Sequence, residues 1–254
     1  MTASFAPVDL ALRLVDLAAQ HGVVARAIGG VAIWLHTPVV REPPFSRTYE
    51  DVDLVVAGSG RRAVDDILAA AGLAPDSGFN AVHGRERRIY HGAGGEKVDA
   101  FIGNFEMCHT LPLEDRLEVD HPTVPLAELF LSKAQIFELN AKDARDLLAL
   151  VAGHDVTDHD RDSINALRVA ELCGRDWGLW RTTTRTIETL HRVVRADDAL
   201  AAHAENVRER LAKLSGAMET APKSLKWRAR ARVGDRVAWY ELPEDPDRSA
   251  PAPA

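Results

Sequence analysis

Residues 50–56 read Glu50-Asp51-Val52-Asp53-Leu54-Val55-Val56. An apolar, β-branched run after an Asp-x-Asp pair predicts a strand, and the two-residue repeat of a strand sends both carboxylates to one face. Two anionic groups side by side need a cation. Upstream, Val23-Val24-Ala25-Arg26-Ala27-Ile28 predicts a short strand ending at Gly29-Gly30, followed by a helix-like stretch from Val31 to His36 that carries Trp34. A glycine turn leading into a helix leaves backbone N–H groups to meet an anion.

Strand, glycine turn, helix and a strand with paired Asp is a layout suited to a nucleoside triphosphate held through its phosphates and Mg²⁺. Around it, Leu10, Leu14 and Leu17 predict a helix over Asp9–Gln20 with Gly22 as its stop. Pro38, Pro43 and Pro44 make Thr37–Thr48 an irregular loop that brings Arg41 and Arg47 toward the carboxylates. Gly58-Ser59-Gly60 ends the acidic strand, and Val64, Ile67 and Leu68 predict a helix over Arg61–Ala71. Residues 85–91 and 97–102 flank Gly92-Ala93-Gly94-Gly95 and predict a hairpin. Its second strand carries a third acid, Asp99, beside the first pair. Leu117-Glu118-Val119-Asp120 predicts a last short strand, and Pro122 and Pro125 mark the exit from the α/β part.

From Pro125 onward the periodicity is helical. Leu126, Leu129, Phe130, Ile136 and Phe137 form one stripe on a helix that also carries Lys133. Asn140, with Asp143 three residues later, predicts an N-cap for a helix that turns Leu147, Leu148 and Val151 inward. Further helices are expected at 162–173, 176–194 and 198–217. The stretch from Lys223 to Arg236 is strongly basic and includes Trp227, and residues 241–254, rich in Pro, Ala and Asp, predict a disordered tail.

The chain has 254 residues, 46% of them hydrophobic, enough for a substantial core. No apolar run approaches the ~20 residues of a bilayer span, and the start lacks a signal-peptide pattern, so a cytoplasmic protein without a membrane partner is expected. Cys108 and Cys173 lack zinc or disulfide spacing. A formal charge of −7 argues against a general duplex-DNA surface and permits a local basic patch for RNA or nucleotide phosphates.

Two or three Asp without a Cys or His cage suit Mg²⁺, and paired ions can hold both the attacking and leaving oxygens of an in-line displacement. Asp51 and Asp53 supply the pair. Asp99 completes it as a metal ligand or as the base for an acceptor hydroxyl. Plainer readings stand beside several residues. Lys133 also reads as a solvated helix charge, Asp143 as half of an N-cap, Asp146 as an exposed acid and His36 as a packing residue. His154–Asp162 fails the calcium-loop pattern at Ser163 and Val169 and reads as a linker. The 223–236 segment reads as an RNA contact or as an exposed helix face.

Ile28-Gly29-Gly30-Val31, then Arg47-Thr48-Tyr49-Glu50-Asp51-Val52-Asp53-Leu54, then Lys97-Val98-Asp99 resembles the signature of the polymerase-β-like nucleotidyltransferase superfamily. Leu129-Phe130-Leu131-Ser132-Lys133 and Lys142-Asp143-Ala144-Arg145-Asp146-Leu147 are similar to the third and fourth motifs of its AbiEii/MenT-type toxin branch. The resemblance spans about residues 25–150. It implies glycines that hold the triphosphate, an Asp pair that binds Mg²⁺, and a later Lys and Asp that complete the site. By motif position these are Gly29, Gly30, Asp51, Asp53, Lys133 and Asp143, with Asp146 next. Gly30 stands where the family commonly has Ser, the Pro-rich loop lengthens the interval to the Asp pair, and Thr48 sits one place from the usual Thr-x-Asp spacing.

The expected fold is α+β, a nucleotidyltransferase-type mixed sheet flanked by helices (1–124), then a helical bundle (125–240) and the tail, with the site in the cleft between. The resemblance implies an enzyme that moves a nucleoside monophosphate from an NTP to an RNA or protein acceptor, one form being the toxin of a type IV toxin–antitoxin pair with an antitoxin partner. Arg47 joins Gly29, Gly30 and Lys133 as a nucleotide contact. The alternatives are a non-catalytic nucleotide-binding module acting through a protein partner and a small-molecule nucleotidyltransferase of the antibiotic-modifying kind.

Overall fold

A computed structural model describes residues 6–243. The chain begins with α1 (Ala6–Gln20), which buries Val8, Ala11, Leu14, Val15 and Ala18 along one stripe and stops at Gly22, whose φ of 69° suits glycine. Then come β1 (Ala25–Ile28), α2 (Gly29–His36), β2 (Asp51–Val56), α3 (Val64–Ala70), β3 (Leu73–Pro75), α4 (Ser77–His83), β4 (Arg87–Gly92) and β5 (Lys97–Ile102). The hairpin strands β6 (Asn104–Glu106) and β7 (Thr110–Pro112) precede α5 (Leu126–Ala134) and α6 (Ala141–Gly153). The short strands β8 (Asp155–Thr157) and β9 (Ser163–Asn165) lead to α7 (Ala166–Arg175), α8 (Trp177–Ala196), α9 (Ala204–Thr220) and α10 (Leu225–Val233).

The expected α+β class holds: a five-stranded mixed sheet in the order β1-β2-β5-β4-β3, flanked by helices and followed by a helical half. β2 and β5 are parallel, and the remaining pairs in the sheet are antiparallel. The 85–102 hairpin forms as β4 and β5, and the acidic strand has the expected bounds. Apolar side chains from the sheet and the helices share one core. Among the described residues no helix is long and apolar enough to cross a membrane.

Several local expectations fail for identifiable reasons. Gly29 and Gly30 are the first turn of α2 and do not precede it. Leu117–Asp120 is not a strand, because the chain turns there: Leu117 goes into the core while Val119 stays 44% exposed. The edge of β1 is met instead by Thr123, through a parallel bridge to Ala27. α5 ends at Ala134, so Ile136 and Phe137 lie beyond it, and Phe137 stacks on Tyr240 with ring centroids 3.6 Å apart. The expected 154–162 linker contains β8, which pairs in parallel with β9. Residues 198–203 form a 3-10 turn before α9. Of the expected tail, residues 244–254 lie outside the described residues.

α5 is the hinge of the arrangement. Its Glu128 is wholly buried and accepts hydrogen bonds from Arg116 (2.8 Å) and Arg168 (2.9 Å), tying the turns after β7 to α7. Its last turn presents Lys133 toward α6 and the acidic strand.

Candidate active site

The register of three strands builds the site. Asp53 lies opposite Asp99 on the parallel neighbour β5 and opposite Ile28 at the end of β1. Residues opposite one another on parallel strands share a face, and Asp51, two residues before Asp53, shares it too. The chain leaves Ile28 directly into Gly29, which is thereby brought against Asp53: a Cβ on Gly29 would lie 2.2 Å from Asp53 Oδ2, and its φ of 72° also disfavours a side chain. Gly30 is approached as closely from the other side, where a Cβ would lie 2.6 Å from Arg47 Nη2 and 2.8 Å from the Tyr49 ring.

Lys133 and Arg47 face these acids and are themselves held by carboxylates from the first turns of α6. Asn140 caps that helix, accepting from the Asp143 N–H at 2.8 Å, while its amide donates to Asp143 Oδ2 at 2.8 Å. Thus Asp143 is an N-cap partner and also receives the Lys133 ammonium at 2.6 Å. Asp146, only 1% exposed, takes the Arg47 guanidinium in a fork, Nε at 2.7 Å and Nη2 at 2.6 Å, with Lys133 3.7 Å away. Its burial with two cations overturns the plainer reading as an exposed acid. Tyr49 donates its hydroxyl to Asp146 at 3.3 Å, and its ring lies 3.7 Å beneath the Arg47 guanidinium.

Gly30, Arg47, Asp51, Asp53, Lys133 and Asp143 line one small cavity of about 160 Å³, also bounded by Tyr49. Asp99 lies outside its walls, buried beside Asp53 and engaged by Arg87, whose Nε is 2.9 Å and Nη2 2.8 Å from Oδ1. Burial raises the proton affinity of both acids. Asp53 is pushed up to about 7, by desolvation first and the Asp99 charge second, against the pull of Lys133 and Arg87. Asp99 is raised by burial against Arg87 and Lys97. Burial alone would lower Lys133, but Asp143, Asp146 and Asp53 outweigh it and keep the ammonium charged.

Sequence reasoning missed Tyr49 and Arg87. Arg87 was legible by strand alternation, lying diagonally from Asp99 in the hairpin register, opposite Phe101, whereas Tyr49 precedes β2 and no alternation marks it. Among the described residues no three His, Cys, Asp or Glu side chains converge closely enough to enclose a metal ion unaided. The donor set still suits Mg²⁺, which takes one or two carboxylates and fills its remaining positions with water and phosphate oxygens. Asp51 and Asp53 offer that pair. A larger cavity, about 700 Å³, lies elsewhere, between the β6–β7 hairpin, the start of α8 and α10.

No protein-family model matches the sequence, and no curated protein sequence matches it. Solved structures that resemble the chain in part include the antibiotic-resistance factor ANT(2'')-Ia, at 12% identity and a TM-score of 0.44 over 74% of this chain and 97% of that one. An antigenic nucleotidyltransferase-like protein from Paracoccidioides brasiliensis gives 13% identity and a TM-score of 0.40 over 86% and 94%. The apo form of a CCA-adding enzyme gives 13% and 0.33 over 84% and 53%.

Proposed function

We propose that the chain is a Mg²⁺-dependent nucleotidyltransferase of the polymerase-β-like kind, moving a nucleoside monophosphate from an NTP to an RNA or protein acceptor. The observation that carries this reading is the register that sets Asp53 abreast of Asp99, with Asp51 on the same face, against a glycine-led helix start and across from Lys133 and Arg47. A cavity that presents Asp51 and Asp53 together with Lys133 and Arg47, each cation backed by a carboxylate of α6, suits a triphosphate that arrives with its metal.

Asp51 and Asp53 would hold Mg²⁺, which neutralises phosphate charge when bound. Asp99, buried outside the cavity and held by Arg87, would serve as the third acid, at the metal or for the acceptor proton, only after Arg87 releases it. Gly29 and Gly30 let Asp53 on one side and Arg47 with Tyr49 on the other pack directly against the start of α2. Lys133 and Arg47 supply positive charge, and Asp143 and Asp146 hold those two cations in place. A cavity of about 160 Å³ accepts phosphates and ions rather than a whole nucleotide, so base and ribose lie on its open side. The α/β part (1–124) and the helical part (125–240) contribute opposite walls. A toxin role with an antitoxin partner follows from the motif resemblance of residues 129–147.

The test is transfer of label from α-³²P NTPs with Mg²⁺ to total tRNA, lysate protein or a low-mass fraction. Label in RNA or protein that disappears in Asp53→Asn supports the reading. Label only in the low-mass fraction points to a small-molecule enzyme. Nucleotide binding without any labelled product refutes transfer and points to a binding module.

A further inference from the structure

We infer that Tyr49 is a positioning residue that fixes Arg47 over the start of α2 as a clamp for the β- and γ-phosphates of the nucleotide, an inference that rests on the nucleotide reading above. Three contacts define the clamp. The Tyr49 ring supports the guanidinium from 3.7 Å below, its hydroxyl donates to Asp146 at 3.3 Å, and Asp146 in turn takes the Nε and Nη2 edge of Arg47. Nη1 donates to the Thr48 carbonyl at 2.7 Å. A guanidinium carries five N–H donors. Two of them meet Asp146 and one meets Thr48, and the guanidinium lines the cavity beside Gly30. Nη2 is the atom that lies over Gly30, where a methyl group would approach it to 2.6 Å.

The arrangement explains a departure noted in the sequence. With no side chain at Gly30, the space beside the helix start is filled by the Arg47 head and the Tyr49 ring. An arginine on a proline-rich loop loses considerable freedom to stay there. Tyr49 supplies a flat, buried face and Asp146 a matching fork, and a guanidinium held on both is oriented before a ligand arrives. A fixed fork matches phosphate oxygens, and a triphosphate, with more of them and more charge than a monophosphate, gains more from a cation held in place.

Calorimetric titration of the full chain with an NTP and with the matching NMP, both with Mg²⁺, tests the clamp. Tyr49→Leu is expected to weaken NTP binding roughly ten-fold, within the range of a desolvated cation–π contact, and NMP binding far less. Tyr49→Phe, which keeps the ring, should stay within about three-fold of wild type. In an Arg47→Gln background, Tyr49→Leu should cost nothing further, since the residue through which it acts is gone. Tyr49→Met makes the same comparison should the leucine variant fail to fold. Wild type that binds no NTP would overturn the nucleotide reading and the clamp together. Wild type that binds, with a Tyr49→Leu loss equal for NTP and NMP or undiminished in the Arg47→Gln background, would overturn the clamp alone.

Discussion

Replacing Asp53 by asparagine should make the protein more stable at neutral pH while removing the transfer proposed for it. Burial and the neighbouring Asp99 push the Asp53 carboxyl up to about 7 in the folded chain, whereas an unfolded aspartate titrates near ~3.9. Between those values the folded chain keeps a proton that the unfolded chain has released. Stability therefore falls as pH rises through the window and is level above it. A gap of about three pH units at ~1.36 kcal/mol each caps the effect near ~4 kcal/mol. Asp53 is only partly buried, and solvent screening reduces the expected gain to ~1–3 kcal/mol. For a chain of this size each kcal/mol moves the melting temperature by about 2–4 °C. Thermal melts of wild type and Asp53→Asn at pH 4, 6 and 8 with a chelator should therefore nearly coincide at pH 4 and separate by several degrees at pH 8, the variant higher. Added Mg²⁺ should raise the wild-type melt at pH 8 and leave the variant unmoved. A variant that melts below wild type at pH 8, or a difference independent of pH, would refute the picture of a crowded acidic pair.

Three other substitutions separate the parts of the site. Gly30→Ala brings a methyl group within 2.6 Å of Arg47 Nη2 and 2.8 Å of the buried Tyr49 ring, so NTP affinity should fall roughly ten-fold, the loss of about one charge-assisted hydrogen bond, and the melting temperature should fall as well because the ring has to shift. Lys133→Met leaves Asp143 without its ammonium and Asp146 with Arg47 and Tyr49, and urea unfolding should show a loss of about 2 kcal/mol. Glu128→Gln strips the shared carboxylate from Arg116 and Arg168. Its cost, about 3–5 kcal/mol, should exceed that of Lys133→Met although Glu128 lies outside the site. The reverse order in urea would show that the Lys133 pairs within the helical part outweigh the Glu128 pairs, one of which reaches back to Arg116.

What was legible in the sequence follows from how far each signal reaches. The Asp51–Val56 strand, the hairpin around Gly92–Gly95 and the Asn140 cap are local patterns, and each forms where expected. The acids could be placed on neighbouring strands because strand alternation and a hairpin leave little choice of face. Boundaries that depend on tertiary packing were not legible. Nothing local shows that α2 begins at Gly29, that the alternation in Leu117–Asp120 is broken by turns, or that the α5 stripe stops short of Phe137 because Tyr240 covers that ring. Asp146 illustrates the same limit within the site. Its spacing from Asp143 reads as one turn of an exposed helix face, and only the loop bearing Arg47 and Tyr49 turns it into a buried counter-ion.

The strand order carries a kinetic consequence. β4 and β5 can zip early, since only residues 93–96 separate them, but α3, β3, α4 and β4 all lie between β2 and β5 along the chain. Asp99 thus reaches Asp53 only when a preformed hairpin docks edge-on, a nonlocal closure that is slow in any chain and here also forces two carboxylates together. That seam should form last in refolding and exchange its amide hydrogens first among the β2–β5 and β4–β5 ladders, leaving a compact, inert species whenever it parts. Hydrogen exchange slower across β2–β5 than across β4–β5 would contradict this order of events.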